Sequence, residues 1–225
     1  MKVFALHIDR LLQSQEFNYL MGRISVERVN KIQKLIFRED QHRMLLSEIF
    51  IRSIIHRECK LPDEKITFQF GPYGKPCIED VPSFHFNLSH SDSWIVCATD
   101  CHPIGIDIEK ISPINYSLAK HFFSDQEYRD LMSKKEAERL SYFYDLWTIK
   151  ESFVKQLGTG LSFPMNSFSI SIDLSQKVHL KTDEKKHSVH IQTIHIDNAY
   201  KAAVCSYEEA RLTEITYISL EELLI

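Results

Sequence analysis

Hydrophobic and polar positions follow two periods along this chain, and the switches between them outline its elements. Residues 2–8 alternate as an opening strand. From Ser14 to about Phe37 the spacing is helical, with a break near Ser25. Over residues 39–58, Leu45, Leu46, Ile49, Phe50, Ile54 and Ile55 mark the buried side of the strongest amphipathic helix in the first half. Pro62 stops that region. Residues 67–70 predict a short strand, followed by the rigid turn Gly71-Pro-Tyr-Gly-Lys-Pro76. Residues 84–88 and 94–99 predict antiparallel neighbours, with the polar Ser89-His90-Ser91 placing His90 in a loop. His85 falls opposite Phe84 and Phe86 and reads as structural or exposed.

In the second half, Ile104, Ile106 and Ile108 alternate with Gly105, Asp107 and Glu109. The isoleucines should face a core and the carboxylates the opposite side of the strand. After Pro113, a short helical stretch leads to Phe122-Phe123. Ser124-Asp-Gln-Glu127 is a capping box, which gives Glu127 a sufficient structural reason to be there. Residues 135–157 predict the longest helix, ending at Gly158 and Gly160. Residues 168–172, 189–196 and 202–206 read as strands, with Pro164 and the charged tract 181–186 in loops. The sequence shows neither repeat nor linker, so a two-part organisation would be closely packed.

The chemistry concentrates between His102 and Lys155. Trp147, Glu151 and Lys155 recur every four residues and form one helical stripe, with Lys150 beside it. If that helix crosses the acidic strand, Asp107, Glu109 and Glu151 meet two lysines. Three oxygen donors suit Mg²⁺, which keeps some waters and takes further ligands from phosphates. The stretch reads as a metal–pyrophosphate site. Arg28, Lys31 and Lys34 drift slowly around one helix face and read either as a solvated basic face or as a phosphate contact. Arg43 lies near a helix N-terminus, which also favours anions.

Composition narrows the class. The chain has 225 residues, 44% hydrophobic and 26% charged, with a formal net charge of −4, which argues against a general nucleic-acid or membrane-surface binder. No run reaches the about 18 apolar residues of a membrane span, and Asp9-Arg10 ends the first apolar stretch too early for a signal peptide. The five cysteines, without paired CxxC spacing, read as reduced, mostly buried thiols of a cytoplasmic protein.

Four motifs in order complete the picture: Tyr73-Gly-Lys-Pro76, Phe86-Asn-Leu-Ser-His-Ser91, Gly105-Ile-Asp-Ile-Glu109 and Trp147-x-x-Lys150-Glu151-x-x-x-Lys155. Together with Phe122-Phe-Ser124 and Glu127, they resemble the 4′-phosphopantetheinyl transferase superfamily, in its surfactin-synthetase-activating (Sfp) type, over nearly the whole chain. The resemblance implies an α+β fold of two similar halves about a pseudo-twofold axis, residues 1–102 and 103–225, with coenzyme A between them. It implies transfer of the 4′-phosphopantetheine arm to a serine of apo peptidyl or acyl carrier proteins of nonribosomal peptide, polyketide or fatty acid synthases. Adenosine 3′,5′-bisphosphate would be released, and antibiotic-type peptide synthesis would be the pathway served.

On that resemblance Asp107, Glu109 and Glu151 hold Mg²⁺ or Mn²⁺, and Lys155, with Lys150 assisting, contacts the phosphates. Glu151, directly or through a metal-bound water, is the favoured proton acceptor, and Glu127 the other candidate. Arg28, Lys31 and Arg43 map to the 3′-phosphate with the backbone of Met44. Tyr73, Gly74 and Lys75 map to the adenine, and Ser89 and His90 to phosphates. Three positions depart from the pattern: Arg28 replaces a lysine, Met44 a hydroxyl residue and Asp92 a glycine. The carrier protein should dock on the second half, after Pro113 and over residues 158–189, where Phe122, Leu157, Leu161, Phe163 and Met165 are either contacts or core. Two other readings fit the same acids and lysines: a nucleotide pyrophosphatase using water, and a non-catalytic coenzyme A or carrier-binding module. A monomer is the simplest assembly.

Overall fold

The computed structural model describes residues 1–182, 189–207 and 214–225. The first half runs β1 (Lys2–His7), α1 (Ser14–Met21), α2 (Val26–Gln33), α3 (Arg38–Cys59), β2 (Phe68–Phe70), β3 (Pro76–Ile78), β4 (His85–Ser91) and β5 (Trp94–Asp100). The second runs β6 (Gly105–Lys110), α4 (Ala119–Phe122), α5 (Asp125–Ser133), α6 (Glu136–Leu157), β7 (Ser169–Ile172), β8 (Val178–Lys181), β9 (His190–Ile194), β10 (Tyr200–Ser206), β11 (Ile215–Ile218) and α7 (Leu220–Leu223). The break expected near Ser25 is the start of α2, where the Ser25 hydroxyl accepts the Arg28 N–H at 3.2 Å.

Four layers result. One sheet has the order β11-β1-β5-β4, the other β6-β10-β9. Alternation along each strand decides what lies between them. Phe4, Leu6, Ile95 and Cys97 face α3 with Leu45, Leu46, Ile49 and Phe50. Val3, Ala5, Val96 and Ala98 turn the other way, onto Ile104, Ile106, Ile108, Ala202 and Val204 of the second sheet. Ala203 and Cys205 then face Phe143, Leu146, Ile149 and Phe153 of α6. Two sheets thus pack on each other, each backed by a 22-residue helix. This is the α+β class expected from the resemblance.

The division between halves is not purely sequential. β11 pairs in parallel with β1, and Leu220 and Leu223 of α7 enter the first core. Other differences are local. Ser89, His90 and Ser91 continue β4, because their N–H and C=O groups pair with β5 through Ser91↔Trp94. Of the five cysteines, only Cys97 and Cys205 are buried, while Cys77 and Cys101 are exposed. The loop expected over 181–186 lies outside the described residues apart from its start, where Lys181 ends β8.

The second core has two unusual supports. Gly105 is pressed against α6 so closely that a Cβ there would overlap the Ser152 carbonyl oxygen and the Gln156 nitrogen. Lys150, fully buried, donates to both Glu127 oxygens at 2.8 Å and to the Phe168 carbonyl at 2.9 Å. Glu127 also accepts the N–H groups of Ser124 and Ile170 at 2.7 Å. One acid thus caps α5, ties β7 and neutralises a lysine of α6.

Two consequences are measurable by urea unfolding. Gly105→Ala should cost about 3 kcal/mol or more, because backbone atoms of α6 must move. Lys150→Met should cost about 3–5 kcal/mol by leaving Glu127 charged and unpaired, and Glu127→Gln added to it should restore part of that loss. Strictly additive single and double variants would contradict the pairing.

Candidate active site

The site lies where β4 and β6, edge strands of different sheets, are stitched together by side chains. Asn87, Ser89 and Ser91 point at β6 with the period of a strand. The Asn87 side-chain oxygen Oδ1 accepts the Ile106 N–H at 2.9 Å, and the Ser89 and Ser91 hydroxyl oxygens accept the Ile108 and Lys110 N–H groups at 3.4 and 3.0 Å. The serines replace backbone carbonyls in this ladder, and their own hydrogens remain available. Ser89 donates to Asp107 Oδ1 at 2.8 Å and Ser91 to Glu109 Oε2 at 2.9 Å. Each hydroxyl therefore fixes one carboxylate and the N–H that follows it.

Asp107 is 2% exposed. Its Oδ1 also takes the Lys155 ammonium at 2.6 Å, and that ammonium donates to Ser89 at 3.0 Å. Its Oδ2 is buried without a hydrogen-bond partner. Burial pushes the Asp107 carboxyl above the usual carboxylate range, against the pull of Lys155. Glu109 and Glu151 are raised first by burial and then by the negative charge of Asp107. Lys155 stands between these acids as the nearby cation.

A hard divalent cation fits this set: the donors are all oxygen, one buried oxygen is bare, and the acids disfavour each other's charge. The three carboxylates are spread more widely than a closed shell. Among the described residues, the group of three His, Cys, Asp or Glu donors lying within 4.8 Å of one another is Asp100, Cys101 and His102, in the connection between the halves.

Other expected site residues lie elsewhere. Lys150 turns away from the stripe into the buried pair with Glu127, so the carboxylates meet one lysine of α6 rather than two. Lys75 donates to the carbonyls of Ile104, Lys155 and Gln156, so its ammonium does not project from the turn. Arg28, Lys31 and Arg43 each have an acid beside them: Glu48 at 3.4 Å, which Arg52 also holds at 3.0 Å, Glu27 at 2.8 Å and Asp40 at 2.8 Å. Arg28 and Lys31 line a cleft of about 230 Å³ with Phe68 and Phe70, whereas Arg43 reaches the Asp92 carbonyl on the β4–β5 turn. Met44 packs on the first core. Tyr73 is exposed beside Gly74, whose φ of 83° belongs to glycine. His90 is exposed, and its pKa is lowered by the surrounding protein and then by Arg43 and Lys155.

Asp92, the residue that departs from glycine, has φ 49°. Its carboxylate accepts Lys110 at 2.7 Å and the Tyr200 hydroxyl at 3.1 Å, which offsets a strained backbone. The docking candidates are mostly packed: Met165 is buried, Phe122, Leu157 and Phe163 lie against the second core, and Phe122 meets Trp147 edge-on at 5.2 Å. The Leu161 side chain lies outside the description.

Sequence reasoning assigned no role to Asn87 or Ser91. The available signal was the two-residue spacing Asn87-x-Ser89-x-Ser91, which matches the alternation of the acidic strand it joins.

Comparison with known proteins shows the family of the chain. Residues 103–205 match the 4′-phosphopantetheinyl transferase superfamily and residues 12–102 the 4′-phosphopantetheinyl transferase N-terminal family. The Bacillus subtilis 4′-phosphopantetheinyl transferase Sfp is 44% identical over 100% of both chains. The Aneurinibacillus migulanus 4′-phosphopantetheinyl transferase gsp is 39% identical over 92% of this chain and 86% of its own. A solved holo-(acyl-carrier-protein) synthase of Bacillus anthracis, in complex with coenzyme A, aligns at 22% identity and a TM-score of 0.40, over 46% of this chain and 92% of that one. Identity of this order from end to end, with both halves matched in sequence, makes the chain a member of the 4′-phosphopantetheinyl transferase superfamily.

Proposed function

We propose that Asp107, Glu109 and Glu151 hold Mg²⁺ while Lys155 faces the diphosphate of coenzyme A, for transfer of its 4′-phosphopantetheine arm to a serine of an apo carrier protein. The observation that carries this reading is the buried Asp107 with one unpartnered oxygen, pinned by Ser89 and paired with Lys155.

In the reaction the serine oxygen forms a bond to the phosphorus that bears pantetheine. The bond from that phosphorus to the bridging oxygen breaks, and adenosine 3′,5′-bisphosphate leaves with the electron pair. When bound, the divalent ion supplies charge neutralisation at the diphosphate. Lys155 adds a fixed ammonium on the same side, already oriented by Asp107 and Ser89. Glu151 accepts the serine proton. Glu151 stands in the site beside Asp107 and Lys155, whereas Glu127 is fully committed to four hydrogen bonds from Ser124, Ile170 and Lys150. Exposed Tyr73 and the turn at Gly74 suit the adenine, and Arg28 and Lys31 suit the 3′-phosphate: Lys31 has only the exposed Glu27 to release, and the buried Glu48 beside Arg28 is also held by Arg52.

The matched relatives are 4′-phosphopantetheinyl transferases, and the acceptor proposed for this chain is a peptidyl carrier of a nonribosomal synthetase, with acyl carrier proteins as further substrates. Two halves in one chain support a monomer. No helix among the described residues is long and apolar enough to cross a membrane, and a cytoplasmic site of action completes the proposal.

The decisive experiment is intact-mass analysis of an apo peptidyl carrier incubated with the protein, coenzyme A and Mg²⁺. A gain of one phosphopantetheine unit, lost with EDTA or Asp107→Ala, is expected; adenosine bisphosphate without a mass gain would favour hydrolysis. Metal binding has a separate readout. The carboxyls of Asp107, Glu109 and Glu151 are raised on folding, so their contribution to metal-free stability falls as pH rises through the window above their ordinary values. Mg²⁺ should therefore raise the Tm more at about pH 7.5 than at about pH 5.5, through a stabilisation of about 2.7 kcal/mol at a hundred times its Kd. Asp107→Asn should abolish the shift, and a Mg²⁺ response unchanged by that substitution would refute the ligand assignment.

A further inference from the structure

We infer that Lys75 is a positioning residue: it fastens the nucleotide-side turn of the first half to the C-terminal end of α6, and so fixes where Glu151 and Lys155 stand. Its ammonium donates to three carbonyls, Ile104 at 2.8 Å, Lys155 at 2.6 Å and Gln156 at 3.2 Å. Two of these belong to the last turn of α6, whose final carbonyls have no partner within the helix. The third immediately precedes β6. One side chain therefore ties together the turn, the catalytic helix and the entrance to the acidic strand.

The surroundings are shaped for that link. The turn is closed by the Gly74 N–H to the Gly71 carbonyl and the Gly71 N–H to the Lys75 carbonyl, both at 2.9 Å, so the lysine leaves a rigid base. Its stem runs past Gly158, where a Cβ would approach Lys75 Cδ to 3.1 Å, and the Tyr73 carbonyl lies over Gly160. Gly158 ends α6 with φ 72°, so the same glycine provides the left-handed cap and the passage. A cation at a helix C-terminus is also favoured by the helix dipole. Lys75 is half-buried, and burial pulls its ammonium down to about 8.

The consequence is mechanical. Lys155 contributes its carbonyl to Lys75 and its ammonium to Asp107 and Ser89, so one residue is held at both ends, its backbone by the first half and its side chain by both halves. Gly105 already leaves no slack between α6 and β6. A small displacement of the helix end would move Lys155 away from the phosphates and Glu151 away from the serine, the kind of misplacement that lowers kcat more than affinity. An ammonium engaged in this way is not a ligand for a phosphate or for adenine.

Lys75→Met tests the inference, since it keeps the stem and removes all donors. Hydrogen exchange on the free protein reads the anchoring without coenzyme A. Amides of residues 154–158 should exchange roughly tenfold faster, the scale of one lost charge-assisted hydrogen bond, with residues 143–149 unchanged. The kinetic arm rests on the transferase reading: kcat should fall at least about tenfold while the KM for coenzyme A stays within about threefold. Lys75→Arg, which retains donors, should recover part of both effects. Unchanged exchange at the helix end, or a change confined to KM, would overturn the positioning role. If Lys75→Met fails to fold, the comparison of Lys75→Arg with Lys75→Gln decides: equal exchange at residues 154–158 refutes the anchor. Failure of the wild type to load a carrier would refute the transferase reading alone and leave the exchange result standing.

Discussion

The structure depends on a carboxylate buried where two sheets meet. Asp107 could not lie there without Ser89 and Lys155 on one oxygen, and its other oxygen remains bare. The serine comes from the first half, the aspartate from the strand that opens the second, and the lysine from the helix behind it. Folding the two halves together is therefore the same event as assembling the charged centre. A buried, half-satisfied carboxylate weakens the fold, as its raised pKa indicates. Its retention makes sense where a ligand supplies the missing positive charge.

The side-chain ladder explains how such a seam can be accurate. A backbone ladder would have merged the sheets and closed the edge. Asn87, Ser89 and Ser91 instead satisfy every second N–H of β6 while leaving room for the acids between them. Because each serine holds a carboxylate as well as an N–H, the strand register and the acid positions cannot shift independently. This is outer-shell support of the sort that orients metal ligands generally.

Local periodicity made most elements legible. Ile104–Ile108 announced a strand and Leu45–Ile55 a helix because one buried face dominates each, and Ser124–Glu127 announced a helix start because capping chemistry is local. The acidic stripe was readable for the same reason. Long-range effects were not. His90 is in a strand because β5 supplies partners, which the polar run Ser89-His90-Ser91 conceals. β11 is held by β1, about two hundred residues away in the chain, and its own short sequence carries little signal. Lys150 and Lys75 illustrate the limit best. Lys150 was expected at the phosphates and Lys75 at the adenine, yet the first is used up on Glu127 and the second on carbonyls, and only three-dimensional packing distinguishes a spent cation from a free one.

The fate of these lysines clarifies how α6 works. At its middle, Lys150 locks the helix to α5 and β7 through Glu127. One turn before that, Asp145 pairs with Lys201 of β10 at 2.9 Å, and at the far end Lys75 takes the last carbonyls. Three ionic anchors thus hold a helix that offers only Glu151 and Lys155 to the site. For a displacement at phosphorus the protein contributes placement and electrostatics rather than covalent steps. Charges that never touch the substrate can therefore matter as much as those that do, since they keep the remaining two from moving.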